Sequence, residues 1–188
     1  YPDLYTSNQN DNPVGNWDIM SSDGRFMNYP LAYLRMHFSG WADVQEIDDL
    51  YTKKDNQNGT FSYEVELNTI SDTNLNNAVM ITSPLNPYEK FVIEARELQG
   101  KSSDDIFDGA IPGSGVIVYR VDTTVDGLSN FYGKTGVYVF GPETDSKRGD
   151  ALLNSSNPRY GNSDLNKTDN AITFSDRTNT GIVLSNVG

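Results

Sequence analysis

The sequence has no cysteine, a single histidine and few basic residues, and each scarcity excludes a class of protein. Without cysteine, the chain can form neither disulfides nor a cysteine-based metal site. Its 14 Lys and Arg residues stand against 26 Asp and Glu residues, which gives a net charge of −12. Such a surface repels nucleic acid. No apolar run approaches the roughly 20 residues of a membrane-spanning helix. We therefore expect no nucleic-acid partner and no membrane span.

The sequence also lacks a self-sufficient catalytic constellation. The single histidine, His37, falls within a helical pattern, and no G-x-S-x-G elbow is present to supply an activated serine. Gly113-Ser114-Gly115 lacks the spacing of such an elbow and is typical of a turn that leads into a strand. No phosphate-binding glycine loop occurs either. The chain by itself is therefore not predicted to be an active enzyme.

What the sequence contains in quantity is turn and strand residues. The chain has 188 residues, a length that holds one domain, or one domain and a remnant of another. It is rich in asparagine and has 16 glycines and 11 tyrosines, a mixture that favours turns and strands over helices. An acidic, cysteine-free composition of this kind is typical of secreted or cell-surface bacterial proteins. A biased base composition of the source genome explains it equally well.

The first part of the chain, residues 1–46, predicts loops and one helix. Residues 1–28 show little periodicity and indicate an ordered loop. A helix is predicted over 30–39, because Pro30 suits a first helical position and Gly40 a helix end. Apolar side chains recur between them at helical spacing, at Leu31, Leu34 and Phe38. Trp41 is expected to anchor the following segment against the core.

From residue 47 onward the hydrophobic period changes to two, which indicates strands. Turn residues such as Asn58-Gly59 and Pro112-Gly113 separate the strands, and a series of short strands split in this way favours an antiparallel β-sandwich over residues 47–188. The nearly all-apolar segment Val116–Val121 should be central, with both faces covered. The predicted strands are Phe61–Leu67, Phe91–Arg96, Val116–Val121, Val137–Phe140, Ala171–Phe174 and Gly181–Leu184.

Six segments, taken in order, resemble a known family. The chain is similar along most of its length to the immune inhibitor A-like zinc metallopeptidases, the sixth metallopeptidase family. The first two segments are the most specific, whereas the strand segments are weak signals alone. The segments are "YPDLY", "PVGNWDIMS", "YPLAYLRMHFSGW", "EKFVIEARE", "IPGSGVIVYRVD" and "TGIVLSNV".

The resemblance implies a zinc site of which this chain holds only part. The family's zinc helix carries H-E-x-x-H-x-x-G-x-x-[HD] and is followed by a Met-turn. Its two histidines bind one metal, and the glutamate polarises the attacking water. On this pattern Asp3 is the third zinc ligand and Met20, close after Trp17, is the Met-turn residue that forms an apolar floor. The histidines and the glutamate would precede Tyr1, so residues 1–46 would be the end of a metzincin-like catalytic domain.

Simpler interpretations stay open for each of these residues. Asp3 after a proline is typical of an Asx-turn, and Met20 is equally suited to filling a core. Trp17 and Trp41 are expected to be packing anchors, not substrate-binding platforms, and His37 is expected to be a surface or lightly buried residue of the helix.

The loop after the central strand is a separate candidate. Asp122 and Asp126 could hold calcium through their oxygen atoms, although the loop lacks EF-hand spacing.

Two functions of different classes follow. In the first, the chain is the C-terminal part of a secreted zinc endopeptidase that hydrolyses peptide bonds with metal-activated water. Its partners are a protein or peptide substrate and the upstream half of the same precursor, and zinc is expected in the full-length parent but not in this chain. In the second, the β-sandwich is an adhesion or carbohydrate-binding module, stabilised by calcium. A sandwich that only supports the peptidase and binds nothing is a third possibility.

Overall fold

The fold consists mainly of short strands with little helix. The structure is a computed structural model that describes residues 1–8, 11–21, 27–47, 62–69, 76–99, 107–131, 133–141 and 148–188. Single 3₁₀ turns lie at Gly15–Trp17, Asp126–Leu128 and Gly149–Ala151, and helix α1 (Ala32–Leu34) continues as a π-helical turn through Arg35–Ser39. The strands are β1 (Gln45–Ile47), β2 (Ala78–Thr82), β3 (Glu89–Arg96), β4 (Gly115–Asp122), β5 (Val137–Val139), β6 (Tyr160–Gly161) and β7 (Val183–Leu184).

The main sheet has five strands in the order β1-β2-β3-β4-β5, and β6 pairs with β7 in a separate two-stranded sheet. Strand β1 runs parallel to β2. The remaining pairs are antiparallel. The predicted β-rich, mainly antiparallel fold is therefore confirmed, with one parallel pair that the sequence did not indicate. Strand β4 lies inside the sheet, between β3 and the edge strand β5, and is buried along most of its length, as predicted; the middle strand of the sheet is β3.

Side chains alternate between the two faces of the main sheet, and each face is covered by a different part of the chain. We call the first the N-terminal face, because residues from Leu4 to Leu34 cover it. We call the second the C-terminal face, because residues from Ile172 to Ile182 cover it. The N-terminal face presents Ala78, Met80, Val92, Ile117, Tyr119, Val121, Val137 and Val139. The C-terminal face presents Val79, Ile81, Phe91, Ile93, Val118 and Phe140.

The predicted helix is present, with a later start. It spans residues 32–39 and follows Leu31, which is its N-cap residue. Gly40 ends it in the left-handed conformation, with φ at 66°, and its N–H donates to the carbonyl oxygens of Arg35 and Met36. Glycine suits this position because it enters the left-handed region without steric cost.

Two predicted strands are wrong. Residues 62–67 form no strand, and their first five side chains are exposed; residue 61 lies outside the described residues. Alternating hydrophobicity stabilises a strand only where a neighbour supplies hydrogen bonds and a covered face. Residues 171–174 make only an isolated bridge, between Thr173 and Asn179. Their apolar side chains are buried by packing against the main sheet instead.

Two strands of the main sheet, β1 and β2, were not predicted from the sequence. Strand β1 is short and exposes Gln45 and Glu46, so it carries almost no hydrophobic pattern. Strand β2 is a continuous run of mainly apolar, buried residues, which lacks the period of two because both of its faces are covered. Of the predicted strand at 181–184, only Val183–Leu184 is paired.

The two predicted domains share core residues. Leu4, Trp17 and Leu31 pack in the same hydrophobic cluster as Val92 and Tyr119. The division at residue 46 stays a prediction. Within the part of the chain that the structure describes, no helix has the length and apolar character needed to cross a bilayer.

Candidate functional site

The segments that carry Asp3 and Met20 lie side by side. The main-chain N–H of Leu4 donates to the carbonyl oxygen of Met20 at 3.1 Å. On its other side, the carbonyl oxygen of Asp3 accepts hydrogen bonds from Asn130 N at 2.9 Å and Ser129 Oγ at 3.1 Å. Asp3 itself is exposed. The structure therefore brings together the two segments that contain Asp3 and Met20, the residues that the resemblance assigns to one metal site.

The turn at Met20 is fixed by a buried carboxylate. Asp18 is fully buried; its Oδ1 accepts from Met20 N at 2.7 Å and its Oδ2 from Leu31 N at 2.6 Å. Asp18 thus ties the turn to the start of the helix. Met20 is partly buried and packs against the cluster on the N-terminal face. This packing agrees with core filling and with a Met-turn alike.

The two tryptophans have opposite environments. Trp17 is fully buried, its Nε1 donates to the carbonyl oxygen of Arg148 at 2.8 Å, and its own carbonyl oxygen accepts from Arg96 Nη1 at 2.9 Å. The prediction of a packing anchor is confirmed for Trp17. It is wrong for Trp41, whose relative exposure is 70%. Trp41 directly follows Gly40, the left-handed residue that ends the helix.

Below the Met20 turn lies a group of ionisable side chains that we call the buried charge network. It consists of Asp18, Arg35, Glu94, Arg96 and Asp108, all of them buried. Its strongest contact is bidentate: Arg96 Nε lies 2.9 Å from Asp108 Oδ2, and Arg96 Nη2 lies 2.5 Å from Asp108 Oδ1. Fork-to-fork pairs of this kind fix orientation as well as adding energy.

Glu94 links this network to the helix. Its Oε2 accepts from Ala32 N at 2.9 Å and from Tyr119 Oη at 3.1 Å. Tyr119 Oη in turn accepts from Tyr33 N at 3.1 Å. The Oε1 atom of Glu94 lies 3.3 Å from Arg35 Nη2. The first N–H groups of a helix have no partner within the helix, and here side chains from the sheet satisfy them.

Burial affects the pKa values of two members of the network, Asp18 and Arg96. Burial raises the pKa of Asp18 to about 6, against the opposing hydrogen bonds from Leu31 and Met20 and the charge of Arg96. Burial also acts to lower the pKa of Arg96, but Asp108 and Glu94 outweigh it and the pKa is raised. Arg96 therefore stays charged.

The two candidate calcium residues, Asp122 and Asp126, have different environments. Asp122 Oδ1 accepts from Thr124 N at 2.9 Å and from Thr124 Oγ1 at 2.6 Å, whereas Asp126 is exposed in a 3₁₀ turn. Among the described residues, no three His, Cys, Asp or Glu side chains are grouped so that they could hold a metal ion. Calcium binding at Asp122 and Asp126 stays a prediction.

The described residues also do not form a zinc site by themselves. His37 is exposed, as predicted, and it packs between the rings of Tyr33, at 5.8 Å, and Phe38, at 4.7 Å. It forms no metal-binding group with Asp3 within the described ranges. Of the ligands that the resemblance implies, the 188 residues contain only Asp3, and its role as a zinc ligand stays a prediction.

The buried charge network was missed in the sequence, although one signal for it exists. Glu94 and Arg96 occupy alternate positions of a predicted strand, on the same face as the apolar Val92. Two opposite charges on a covered face of a strand indicate a buried ion pair, because either charge alone would be too costly to bury. Asp18 and Asp108 lie in irregular segments and gave no comparable signal.

Comparison of the chain with protein-family models, with curated proteins and with solved structures finds no match. The six segments that resemble the immune inhibitor A-like family indicate that the chain belongs to it, and this membership stays a prediction.

Proposed function

We propose that the chain is the C-terminal part of a secreted or cell-surface zinc endopeptidase that hydrolyses peptide bonds with metal-activated water. The observation that supports this proposal is the hydrogen bond from Leu4 N to the carbonyl oxygen of Met20. It holds the proposed third-ligand segment against the proposed Met-turn, although 15 residues lie between Leu4 and Met20.

The environments of the two residues fit these roles. A ligand carboxylate must be deprotonated and accessible to the metal. Asp3 is exposed, and its carboxylate makes no hydrogen bond with the described residues. A Met-turn residue must instead be held by packing, and Met20 packs against the core while Asp18 fixes its main chain. In this proposal the zinc histidines and the general-base glutamate are supplied from outside the 188 residues, and the substrate is a protein or peptide.

We further propose that the second half of the molecule is a β-sandwich that supports this site. Side chains of the main sheet and of the C-terminal segment interdigitate across one cluster, with the Phe91 and Phe174 rings 5.4 Å apart. The small sheet of β6 and β7 contributes Tyr160 and Leu184 to the edge of that cluster. Two packed layers of this kind are what a sandwich requires.

The zinc hypothesis is tested by Asp3→Ala in the full-length parent. We expect the variant to lose both zinc retention, measured by elemental analysis, and peptide hydrolysis, because it removes a metal ligand. Asp11→Ala is the matched control, since it removes another exposed carboxylate from the same part of the chain. Equal activity of the two variants would show that Asp3 is not a ligand.

Two measurements that need no variant complete the test. The parent gene should encode glycine directly before Tyr1, with H-E-x-x-H ending three residues before that glycine. The purified 188-residue chain should hold no stoichiometric zinc, because a single histidine and no cysteine cannot complete a closed site. One tightly bound zinc ion per chain would contradict this assignment.

A second candidate function is an adhesion or carbohydrate-binding module, which the exposed aromatic residues favour. Trp41 is 70% exposed and Tyr88 61% exposed, and flat aromatic faces of this kind combine apolar contact with a polar edge. Trp41→Ala should abolish binding to a glycan array if Trp41 is a stacking platform, whereas Leu85→Ala, at a residue 79% exposed, should not change it. Thermal melting with and without calcium, in the native chain and in Asp122→Asn, tests the calcium hypothesis.

A further inference from the structure

A polar cavity of about 350 Å³ opens at the end of strand β4. It uses none of Asp3, Met20 or Trp17. Its lining includes Arg120 and Asp122 from β4, Lys134 and Thr135 from the segment before β5, and Ser175 from the C-terminal segment. The volume is at the lower end of the range for small-molecule sites. The charged side chains around the cavity differ in how many of their hydrogen-bonding groups have a partner within the protein.

The acidic groups at the cavity are satisfied by protein donors. Asp122 Oδ1 accepts two hydrogen bonds from Thr124. Behind the lining, the buried Glu89 accepts from Ser175 N at 2.8 Å and from Ser175 Oγ at 2.6 Å. It also accepts from Asn86 Nδ2 at 2.8 Å. Asp122 Oδ1 and both carboxylate oxygens of Glu89 therefore already accept hydrogen bonds from protein donors.

The basic groups keep unused hydrogen-bond donors, although Arg120 forms an ion pair with Glu89 and its Nη1 donates to the carbonyl oxygen of Thr173 at 3.1 Å. Arg120 is 7% exposed, and its Nε–H has no hydrogen-bond acceptor among the described residues, although Glu89 Oε2 lies 3.4 Å away. Lys134 is exposed and forms no ion pair or hydrogen bond within the described part of the chain. A buried N–H without an acceptor is costly, and a ligand oxygen would remove that cost.

We propose that this cavity binds a small organic carboxylate, with Arg120 and Lys134 as its cationic partners and the hydroxyl of Thr135 as a further donor. The Arg120 Nε–H, which has no acceptor among the described residues, and the exposed Lys134 favour an anion over a cation. The chain's net charge of −12 repels polyanions at long range, so a singly charged carboxylate is favoured over a polyphosphate. Free small acids and the C-terminus of a peptide present the same group. The proposal does not depend on the peptidase assignment.

The experiment is an NMR titration of the 188-residue chain with three probes. Acetate represents a free small acid, N-acetylglycine a peptide C-terminus, and N-acetylglycinamide the same peptide without the charge. The signals followed are the Arg120 Nε–H and the main-chain amides of Lys134 and Thr135. Lys134→Gln is the test variant. Lys167→Gln is its matched control, because it also removes one exposed positive charge, but outside the cavity lining.

We expect the carboxylate probes to shift the Arg120 Nε–H signal saturably and the amide probe to leave it unchanged. Lys134→Gln should weaken the binding by roughly three- to fivefold and Lys167→Gln should not, as loss of one exposed charge contact predicts. Equal binding of acetate and N-acetylglycine identifies a free small acid as the ligand type, and binding of N-acetylglycine alone identifies a peptide C-terminus. Three results would overturn the proposal: no saturable shift, equal binding of the amide probe, or equal weakening by the two lysine variants.

Discussion

The two faces of the main sheet are built from the same strands but by different chemistry. On the N-terminal face, Glu94 and Arg96 of β3 lie in a network of buried charges that reaches the helix and the Met20 turn. On the C-terminal face, Phe91 of the same strand meets Phe174 edge-on, with an angle of 73° between the rings. Residues on opposite faces of one strand therefore belong to two different cores.

The difference between the faces concerns specificity. In apolar packing, the loss of stability on substitution depends on the change in side-chain volume, and a side chain of similar volume can replace another at small cost. In a buried ion pair, substitution of either partner causes a large loss of stability, because the other charge is left without compensation. The N-terminal face carries the proposed site, and there hydrogen bonds to the Asp18 carboxylate fix the main chain of Met20 and Leu31. We expect the two faces to respond differently to substitution.

The largest effect is expected from Arg96→Met on the N-terminal face. It leaves Asp108 and Glu94 buried without their shared cation, and should lower the free energy of unfolding by about 3 to 5 kcal/mol. Urea denaturation measures this loss. Adding Asp108→Asn should restore part of it, because one unpaired charge is then removed. A loss below about 1 kcal/mol in the single variant would show that the pair does not hold this face together.

A slightly smaller effect is expected from Phe174→Ala on the C-terminal face. Phe174 is 5% exposed, and a cavity of this size should cost about 3 to 4 kcal/mol. Phe174→Leu is the control and should cost less than about 1.5 kcal/mol. If both substitutions lower the stability equally, side-chain shape and not volume decides the packing. The two faces would then respond to substitution in a similar way.

The pH dependence of stability should report on Asp18. Its pKa is raised in the folded chain, from an ordinary value of 3.8 to about 6. Between these values the folded chain holds a proton that the unfolded chain has lost, so this contribution to stability is present at low pH and is lost as the pH rises through about 6. The expected loss is about 2 to 3 kcal/mol.

Asp18→Asn isolates this contribution from those of other carboxyl groups. The variant cannot ionise at this position, so its stability should fall less steeply between pH 4 and 6 than that of the native chain. Urea denaturation at several pH values measures both slopes. Identical slopes would show that Asp18 does not keep its proton at the expected pH.

The smallest effect is expected at Asp3. Because its side chain is exposed and makes no hydrogen bond with the described residues, Asp3→Ala should change the free energy of unfolding by less than about 0.5 kcal/mol. Met20→Leu, which conserves volume at a partly buried position, should cost less than about 1.5 kcal/mol. A large loss of stability in Asp3→Ala would mean that the residue has a structural role instead.

Periodicity in the sequence was sufficient for the central elements. The helix at 30–39 and the strands at 91–96, 116–121 and 137–140 all correspond to elements of the structure, because each has a regular hydrophobic pattern with turn residues beside it. The pattern at 61–67 was equally regular and formed no strand over the described residues 62–67. Strand β2 lacked alternation and forms five pairs with β3. Strand pairing depends on a neighbouring strand, and the hydrophobic pattern of a single segment does not identify that neighbour.

The sequence by itself determined the β-rich character of the chain, its acidic surface and the positions of its helix and central strands, since these follow from local composition and spacing. Only the tertiary structure decided that Leu4 bonds to Met20, that Glu94 and Asp18 hold the first N–H groups at the helix start, and that Arg120 lines a cavity. These contacts join residues far apart in the chain. Their energies depend on burial and on partners that become neighbours only when both faces of the sheet are covered.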